Sequence, residues 1–598
     1  VNKKIVFLVF TITPLAHALT FQEHFQKANE FFHSGQHEQA IEQYTCAIAL
    51  DNNCHQAYFN IGLVYAQQKK YEQAIESYTR AFRLNPLYIK AFLQTGNAYQ
   101  ELKKHEPAIE HYKRGLNIDT NSFECLMGLA RALNDTSKFE DSIVHYRAAL
   151  KLRPNDTQAQ FELANTLNLA QHNQESLELY FTMLASMPDN SSLLYNIAYT
   201  LKKLNRIEES LPFYEKVLKL DPDNTEAHFS LSLAYLAQGD FERGWPEYEW
   251  RWKRDHQGGP RVLSKPVWDG SNLDHKTILL HAEQGLGDTF QFIRYAQEIK
   301  KKYSVNIILA CQDPLIPLMK LCPYIDTVIS LYEKIPHHDV QIPLLSMPYA
   351  MKTRLDSIPC HMPYLYADPA LVSYWKQKLN PQGLKIGICW QGNSNYSTHF
   401  LRTAVAAKSI KLEQCMPLLN IDNVTVYNLQ KVTGTDQIEA AKECPRFVTF
   451  DQDFDVSHGR FMDTAAVIKN LDLMITVDTS MAHLAAGLGI PTWVLLPEPA
   501  DWRWMLNRAD TPWYPTMRLF RQPVCGDWDS VIHTIVHELK KCMNTQQETE
   551  LRALEQSIYA TQLHINALER EKNFNEDLKN SSAQLHSLLE HRRQLHKK

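Results

Sequence analysis

A 34-residue period runs through the first 250 residues and fixes what that part of the chain can be. Small residues recur at Ala40, Ala74, Ala108, Ser142, Ser176, Ser210 and Gly244, and a tyrosine stands four positions after each: Tyr44, Tyr78, Tyr112, Tyr146, Tyr180, Tyr214 and Tyr248. A second line of small residues runs Ala28, Gly62, Gly96, Ala130, Ala164, Ala198 and Ser232, and Pro86, Pro154, Pro188 and Pro222 close most units. A period of this length denotes a unit that cannot bury its apolar face alone and must stack on copies of itself. Small residues let two helices approach closely, tyrosine fills the gap to the next, and proline ends the second helix.

This phase resembles the tetratricopeptide repeat, a helix-turn-helix unit. The resemblance implies about seven repeats over residues 21–253, an α-helical solenoid whose groove receives a protein or peptide. What the array serves must come from the rest of the chain.

At 598 residues the chain is too long for one core, and roughly 150 residues per domain predicts two to four. A net charge of −5 and a pI near 6.6 give no electrostatic footing for nucleic acid. The eleven cysteines are scattered without a CxxC pair, which reads as free thiols in a reducing compartment. The N-terminus points the other way. Asn2-Lys3-Lys4, an apolar run from Ile5 to Ala16, and Ala16-His17-Ala18 have the layout of a secretory signal over residues 1–18. An over-extended start before a first helix near Phe21 explains the same residues, and both readings stand. No other stretch approaches membrane length.

The seventh repeat runs into the aromatic segment Phe241 to Trp252, expected to fix the last repeat to the next domain. Residues 254–274, with Gly258, Gly259, Pro260, Pro266 and Gly270, read as a linker. Short apolar runs then alternate with amphipathic stretches. Strands are predicted over 277–282, 306–310 and 327–331, with a helix over 288–303, and again over 385–390, 424–427, 447–450, 473–477 and 492–496. Continuous apolar runs separated by helices predict parallel sheets covered on both faces, one domain over 275–380 and a second over 381–545. The proline-rich stretch from Pro336 to Pro381 reads as their junction. From residue 546 to 598 the chain is charged and free of Gly and Pro, with a heptad-like stripe at Leu551, Leu554, Ile558, Ile565 and Leu568. That predicts a helical tail, a coiled coil able to self-associate, with a solvated helix as the alternative.

Two loops stand out. Gln284, Gly285 and Gly287 follow the first strand and allow a tight turn and close approach of a ligand, leaving Asp288 at the helix start; helix capping is its plain structural role. The second loop, Asp478-Thr479-Ser480-Met-Ala-His483-Leu484, leads a strand into a helix whose N-terminus is a natural diphosphate site. A capping box with a buried histidine is the alternative.

Together the loops resemble the heptosyltransferase-like glycosyltransferases of family 9, with their two-domain GT-B fold. The resemblance covers about residues 275–545 and is closest to bacterial proteins joining tetratricopeptide repeats to such a domain. Glu283 to Phe292, Trp390-Gln-Gly392-Asn393, Asp501-Trp-Arg-Trp504 and Trp513 to Arg518 carry it. It implies that Asp288 is the catalytic base and that Asp478, Thr479, Ser480 and His483 hold the donor diphosphate, with Trp390, Gly392 and Asn393 beside them. It also implies an acceptor loop at Gln284, Gly285 and Gly287. No basic residue follows closely after Gly392, and Arg402 is the nearest candidate for a phosphate contact. The repeat-plus-transferase layout is similar to that of the protein O-GlcNAc transferases. At the phase of their asparagine ladder this chain has Asn60, Gln94, Gly128, Glu162, Asn196 and Ser230.

The implied chemistry is an inverting displacement without metal or other cofactor, the nucleotide sugar being substrate and a protein bound by the repeats the acceptor. Two alternatives remain open: an interaction scaffold with a non-catalytic GT-B domain, and a transferase acting on glycan or lipopolysaccharide core. Sugar nucleotides are kept in the cytosol, so a cytoplasmic enzyme is expected, with export through the signal-like segment as the alternative.

Overall fold

The computed structural model describes residues 19–254, 263–381, 383–395, 399–544, 546–570 and 576–595. The signal-like segment 1–18 lies outside them. Among the described residues no helix is long and apolar enough to cross a membrane.

The 34-residue period is realised as helix pairs, from Phe21–His33 with His37–Leu50 to Thr225–Gln238 with Phe241–Tyr248. The periodic tyrosines are all buried. The second line of small residues seats them: a methyl on Gly96 would lie 2.6 Å from Cε1 of Tyr112. Helix ends at Leu84, Leu152, Leu184 and Leu220 fall shortly before the four prolines.

The chain divides into two compact units, one ending at Leu204 and one from Asn205 onward. The first holds the helices from Phe21–His33 to Ser191–Lys203. The second holds Ile207–Leu220, Thr225–Gln238 and Phe241–Tyr248 together with both sheets and the tail.

In the second unit, β1 (Thr277–His281), β2 (Asn306–Cys311), β3 (Thr327–Ser330) and β4 (Val340–Pro343) form a parallel sheet in the order β3-β2-β1-β4. A second parallel sheet has the order β10-β9-β8-β5-β6-β7, built from β5 (Leu384–Cys389), β6 (Val424–Asn428), β7 (Phe447–Val448), β8 (Leu473–Val477), β9 (Thr492–Leu496) and β10 (Met517–Arg521). The central strands β6, β8 and β9 are buried at every residue, as continuous apolar runs require.

Three expectations need correction. The junction from Pro336 to Pro381 begins too early, because β4 lies inside it and pairs with β1. Its buried Gln341 hydrogen-bonds His281 across the pair (2.8 Å), which interrupts the apolar run that marks other strands. The helix expected over 288–303 is two helices, Leu286–Phe292 and Arg294–Lys302, which meet at Ile293. The linker over 254–274 is partly outside the described residues, and its remainder is no free loop: Val267 bridges to Gln341 and Trp268 is buried.

The aromatic segment after the last repeat packs into the sheet-bearing core. Trp245 meets the Trp502 ring edge-on at 5.5 Å and donates its indole N–H to the Thr353 carbonyl (3.1 Å). Behind it Arg251, 1% exposed, donates to both Glu283 carboxylate oxygens (3.1 and 3.0 Å), to Glu249 (2.7 Å) and to Ser346 (2.7 Å). The tail forms two helices, Gln546–Arg570 and Glu576–Leu595, whose Leu554, Ile558 and Ile565 bury against Leu585. Those three residues of the stripe read as a self-association surface thus pack within the chain. Lys469 Nζ donates to Tyr559 Oη (3.1 Å), tying the tail to the second sheet's helices.

Candidate functional site

Strand order locates the site. In the second sheet the order reverses between β5 and β8, and in the first between β1 and β4. Ligands of doubly wound sheets bind beyond the strand C-termini at such points, where neighbouring connections diverge to opposite faces. The loops after β1, β5 and β8 are those singled out from the sequence.

After β1, Gly285 caps the helix Leu286–Phe292 and its N–H donates to Asp288 Oδ2 (2.8 Å). Asp288 therefore does cap, and it does more. Its Oδ1 accepts from Arg503 Nη2 (2.5 Å), a residue from the other sheet's half of the unit. Arg503 also donates from Nη1 to Asp501 Oδ1 (3.0 Å) and from Nε to Gln291 Oε1 (2.9 Å). Burial opposes its charge, but Asp501 and Asp288 outweigh burial and hold the guanidinium above its ordinary value. In the same loop the Gln284 carbonyl accepts from Gln312 (2.9 Å), and buried Glu283 is the carboxylate that Arg251 grips.

After β8, Thr479 caps the helix Ser480–Gly487 by accepting from Met481 N–H (3.3 Å). Asp478 faces Lys408 Nζ at 3.4 Å, and this carboxylate is the main reason the Lys408 ammonium is held above its ordinary value. Lys408 follows directly on the helix His399–Ala407, on which Arg402 lies exposed. Lys408, six residues past the Arg402 named from sequence, is a cation that reaches the loop.

His483 is buried on the first turn of its helix, its ring parallel to Trp504 at 5.4 Å. Desolvation, aided by Arg503 and Arg294, depresses its pKa well below the usual histidine value, so the imidazole is neutral. It does not bond Asp478. Its Nδ1 lies 2.7 Å from Tyr514 Oη. Arg294 donates to Tyr364 Oη (3.0 Å) and Tyr364 to Tyr514 Oη (3.4 Å), which leaves the Tyr514 proton for His483 Nδ1. The histidine proton then sits on Nε2 as a hydrogen-bond donor.

The two loops touch at Gly287. A methyl there would lie 3.0 Å from His483 Cδ2 and 3.4 Å from Ser480 Cα, so the bare backbone is what lets them meet. After β5, Gln430 Oε1 accepts from the N–H groups of Trp390 and Gln391 (both 2.9 Å), and Gly392 N–H donates to Ser409 (3.2 Å). Trp390 is buried with its indole N–H unpartnered among the described residues, while Asn393 is exposed and accepts from Asn395 N–H (3.1 Å).

Two other features lie apart from these loops. A cavity of about 930 Å³ is bounded by the last repeat's turn at Asp240, by Arg354 and Arg508, and by Arg592 of the tail. The acidic run Asp451, Asp453 and Asp455 follows β7, but Asp455 accepts from Thr464 N–H (2.9 Å). No three metal-ligating side chains gather there among the described residues.

At the ladder phase, Asn60 donates to Asn29 (3.3 Å) and Asn196 to Asn165 (2.8 Å), while Glu162 pairs with Arg131 (2.7 Å). Gly128 and Ser230 are buried, so the polar line is interrupted.

The N-terminal helix pairs are tetratricopeptide repeats, followed along the chain by a region of parallel sheets and helices. Residues 55–88, 89–122, 127–190, 191–224 and 213–245 match family models described as tetratricopeptide repeat, and residues 28–69 one described as TPR repeat. The chain is 24% identical over 329 residues to Protein FlbA of Caulobacter vibrioides, covering 50% of this chain and 52% of the relative. It thus spans about half the length of the curated relative it matches. Among solved structures it is similar to YrrB, a TPR protein with an unusual peptide-binding site (21% identity, TM-score 0.30, 31% of this chain and 97% of that one). It is also similar to a tetratricopeptide repeat protein from Parabacteroides merdae (18% identity, TM-score 0.32, 38% of this chain and 91% of that one).

Proposed function

We propose that the chain is a GT-B glycosyltransferase of the heptosyltransferase-like kind, transferring a sugar from a nucleotide donor to a protein recruited by its repeats. The observation that carries this reading is the contact of the Gly-Asp loop with the Asp-Thr-Ser-Met-Ala-His loop at Gly287, beside the switch points of two parallel sheets. In the transfer step the acceptor oxygen attacks the anomeric carbon as its proton passes to an Asp288 carboxylate oxygen. The bond from that carbon to the diphosphate oxygen breaks, and its electron pair leaves with the diphosphate. Candidate donors for the departing anion are the N-terminus of the helix Ser480–Gly487, the Lys408 ammonium beside Asp478 and the Nε2–H of neutral His483 on that helix's first turn. Asp478 holds Lys408 at the loop. The acceptor side is supported by the repeats alone, which are a protein-interaction architecture, and a cytosolic setting would supply the donor.

The test is release of nucleoside diphosphate from a panel of nucleotide sugars, with and without cell extract as acceptor. Asp288→Asn should lower turnover about a hundredfold or more while donor binding persists. A chain that binds no nucleotide sugar and turns none over is instead an interaction scaffold, a reading favoured by the structural bonds that Asp288 makes to Gly285 and Arg503.

A further inference from the structure

The segment Asp501-Trp-Arg-Trp504 has no part in the chemistry so far, yet its arginine touches the proposed base. The geometry points to Arg503 as the positioning residue of Asp288, an inference that rests on the transferase reading above. Gly285 N–H takes Asp288 Oδ2 and Arg503 takes Oδ1, so the carboxylate is held at both oxygens and cannot turn about its own axis. Each oxygen keeps lone pairs for an incoming proton.

Arg503 is itself immobilised. Asp501 holds Nη1, Gln291 holds Nε, and the Trp502 ring lies 4.5 Å from the guanidinium carbon. Gln291 is fully buried and sits on the same helix as Asp288, three residues on, while its own side-chain amide nitrogen has no partner among the described residues. Arg503 therefore grips the base-bearing helix at two points from a segment that follows β9 of the other sheet. A guanidinium suits this task because its fork reaches three acceptors in one plane, which a lysine ammonium cannot reproduce. The arrangement makes the orientation of the base depend on the two sheet-bearing halves standing in register. Misplacement by about 1 Å in such constellations costs on the order of a hundredfold in rate.

The experiment compares Arg503→Lys and Arg503→Met with the full-length parent. Nucleoside-diphosphate release from nucleotide sugars should fall tenfold or more in kcat, with the Kd for the donor within about twofold. Added methylguanidine should restore part of the turnover of Arg503→Met, which a merely structural role would not allow. In an Asp288→Asn background Arg503→Met should cause no further loss. Crystal structures of both variants should show the Asp288 carboxylate turned from its place while Gly287 still lies against His483. An unmoved carboxylate in both variants, or losses that simply add in the double variant, would overturn the assignment. Wild-type protein inert toward every nucleotide sugar would remove the transferase reading instead, and the carboxylate position in the variant crystals would still decide whether Arg503 positions Asp288.

Discussion

Gly287 is a single hydrogen atom's worth of space on which the meeting of two loops depends. Gly287→Ala would press a methyl against His483 Cδ2 at 3.0 Å and Ser480 Cα at 3.4 Å. Strain of about 1–3 kcal/mol is expected. Relief by separating the loops should weaken nucleotide-sugar binding at least tenfold in calorimetry, and unchanged affinity would show that the loops do not form one site. His483 carries a second expectation. Its folded-state pKa lies well below the ordinary 6.5, with burial as the leading cause. As pH falls below that value the unfolded chain gains a proton that the folded chain refuses, so the folded state loses stability there. His483→Gln should therefore flatten the fall of Tm between pH 6.5 and 5 relative to the parent, whereas parallel curves would remove His483 as the cause. The places of Asp288 and His483 at helix starts were legible in the sequence because loop, glycine and helix start are neighbours along the chain. The partners of Lys408, Arg503, Gln430 and Tyr514 were not, even though Arg503 and Tyr514 lie in quoted motifs, since each finds its partner between 31 and 215 residues away.

Elements follow the same division. The strands with unbroken apolar runs were readable nearly to the residue, as Leu473–Val477 and Thr492–Leu496 show. β4 and β10 were not, because Gln341 interrupts the first and Arg518 and Arg521 break the apolar run of the second, which lies at a sheet edge. The aromatic segment announced a contact but not its ionic half. Arg251 is the most consequential residue there, since it compensates Glu283, whose carboxyl burial pushes up and Arg251 pulls down. Arg251→Met would leave that carboxylate buried with, among the described residues, only the Leu345 N–H (3.0 Å) as hydrogen-bond donor. A loss of about 3–5 kcal/mol is expected, measurable by urea unfolding, and Glu283→Gln in the same background should recover part of it. The tail gives a gentler case. Ile565 is fully buried in the small core of the two tail helices, so Ile565→Asp should release them to limited proteolysis near residue 570 while the sheets stay intact. A tail as resistant as before would mean that this core does not hold the hairpin.

For the whole molecule the division at Leu204 is the governing fact. The period runs unbroken through seven units, yet the last helices fold with the sheets rather than with the earlier repeats, through Trp245, Tyr248 and Arg251. Periodicity could reveal the array but not this break, because the repeat phase is the same on both sides and only the aromatic partners differ. The early repeats can then be removed without exposing the interface on which the sheet-bearing half depends. Deleting residues 21–155 leaves Ile207–Leu220, Thr225–Gln238 and Phe241–Tyr248, which fold with the sheets, untouched. If the repeats recruit the acceptor, they act by raising its effective concentration near the transferring half, a gain that vanishes when the binding surface is removed. The shortened chain should bind nucleotide sugar with the parent's affinity and hydrolyse it slowly, yet lose transfer to protein in cell extract by a hundredfold or more. Transfer at the parent's rate would show that the early repeats hold some partner other than the substrate.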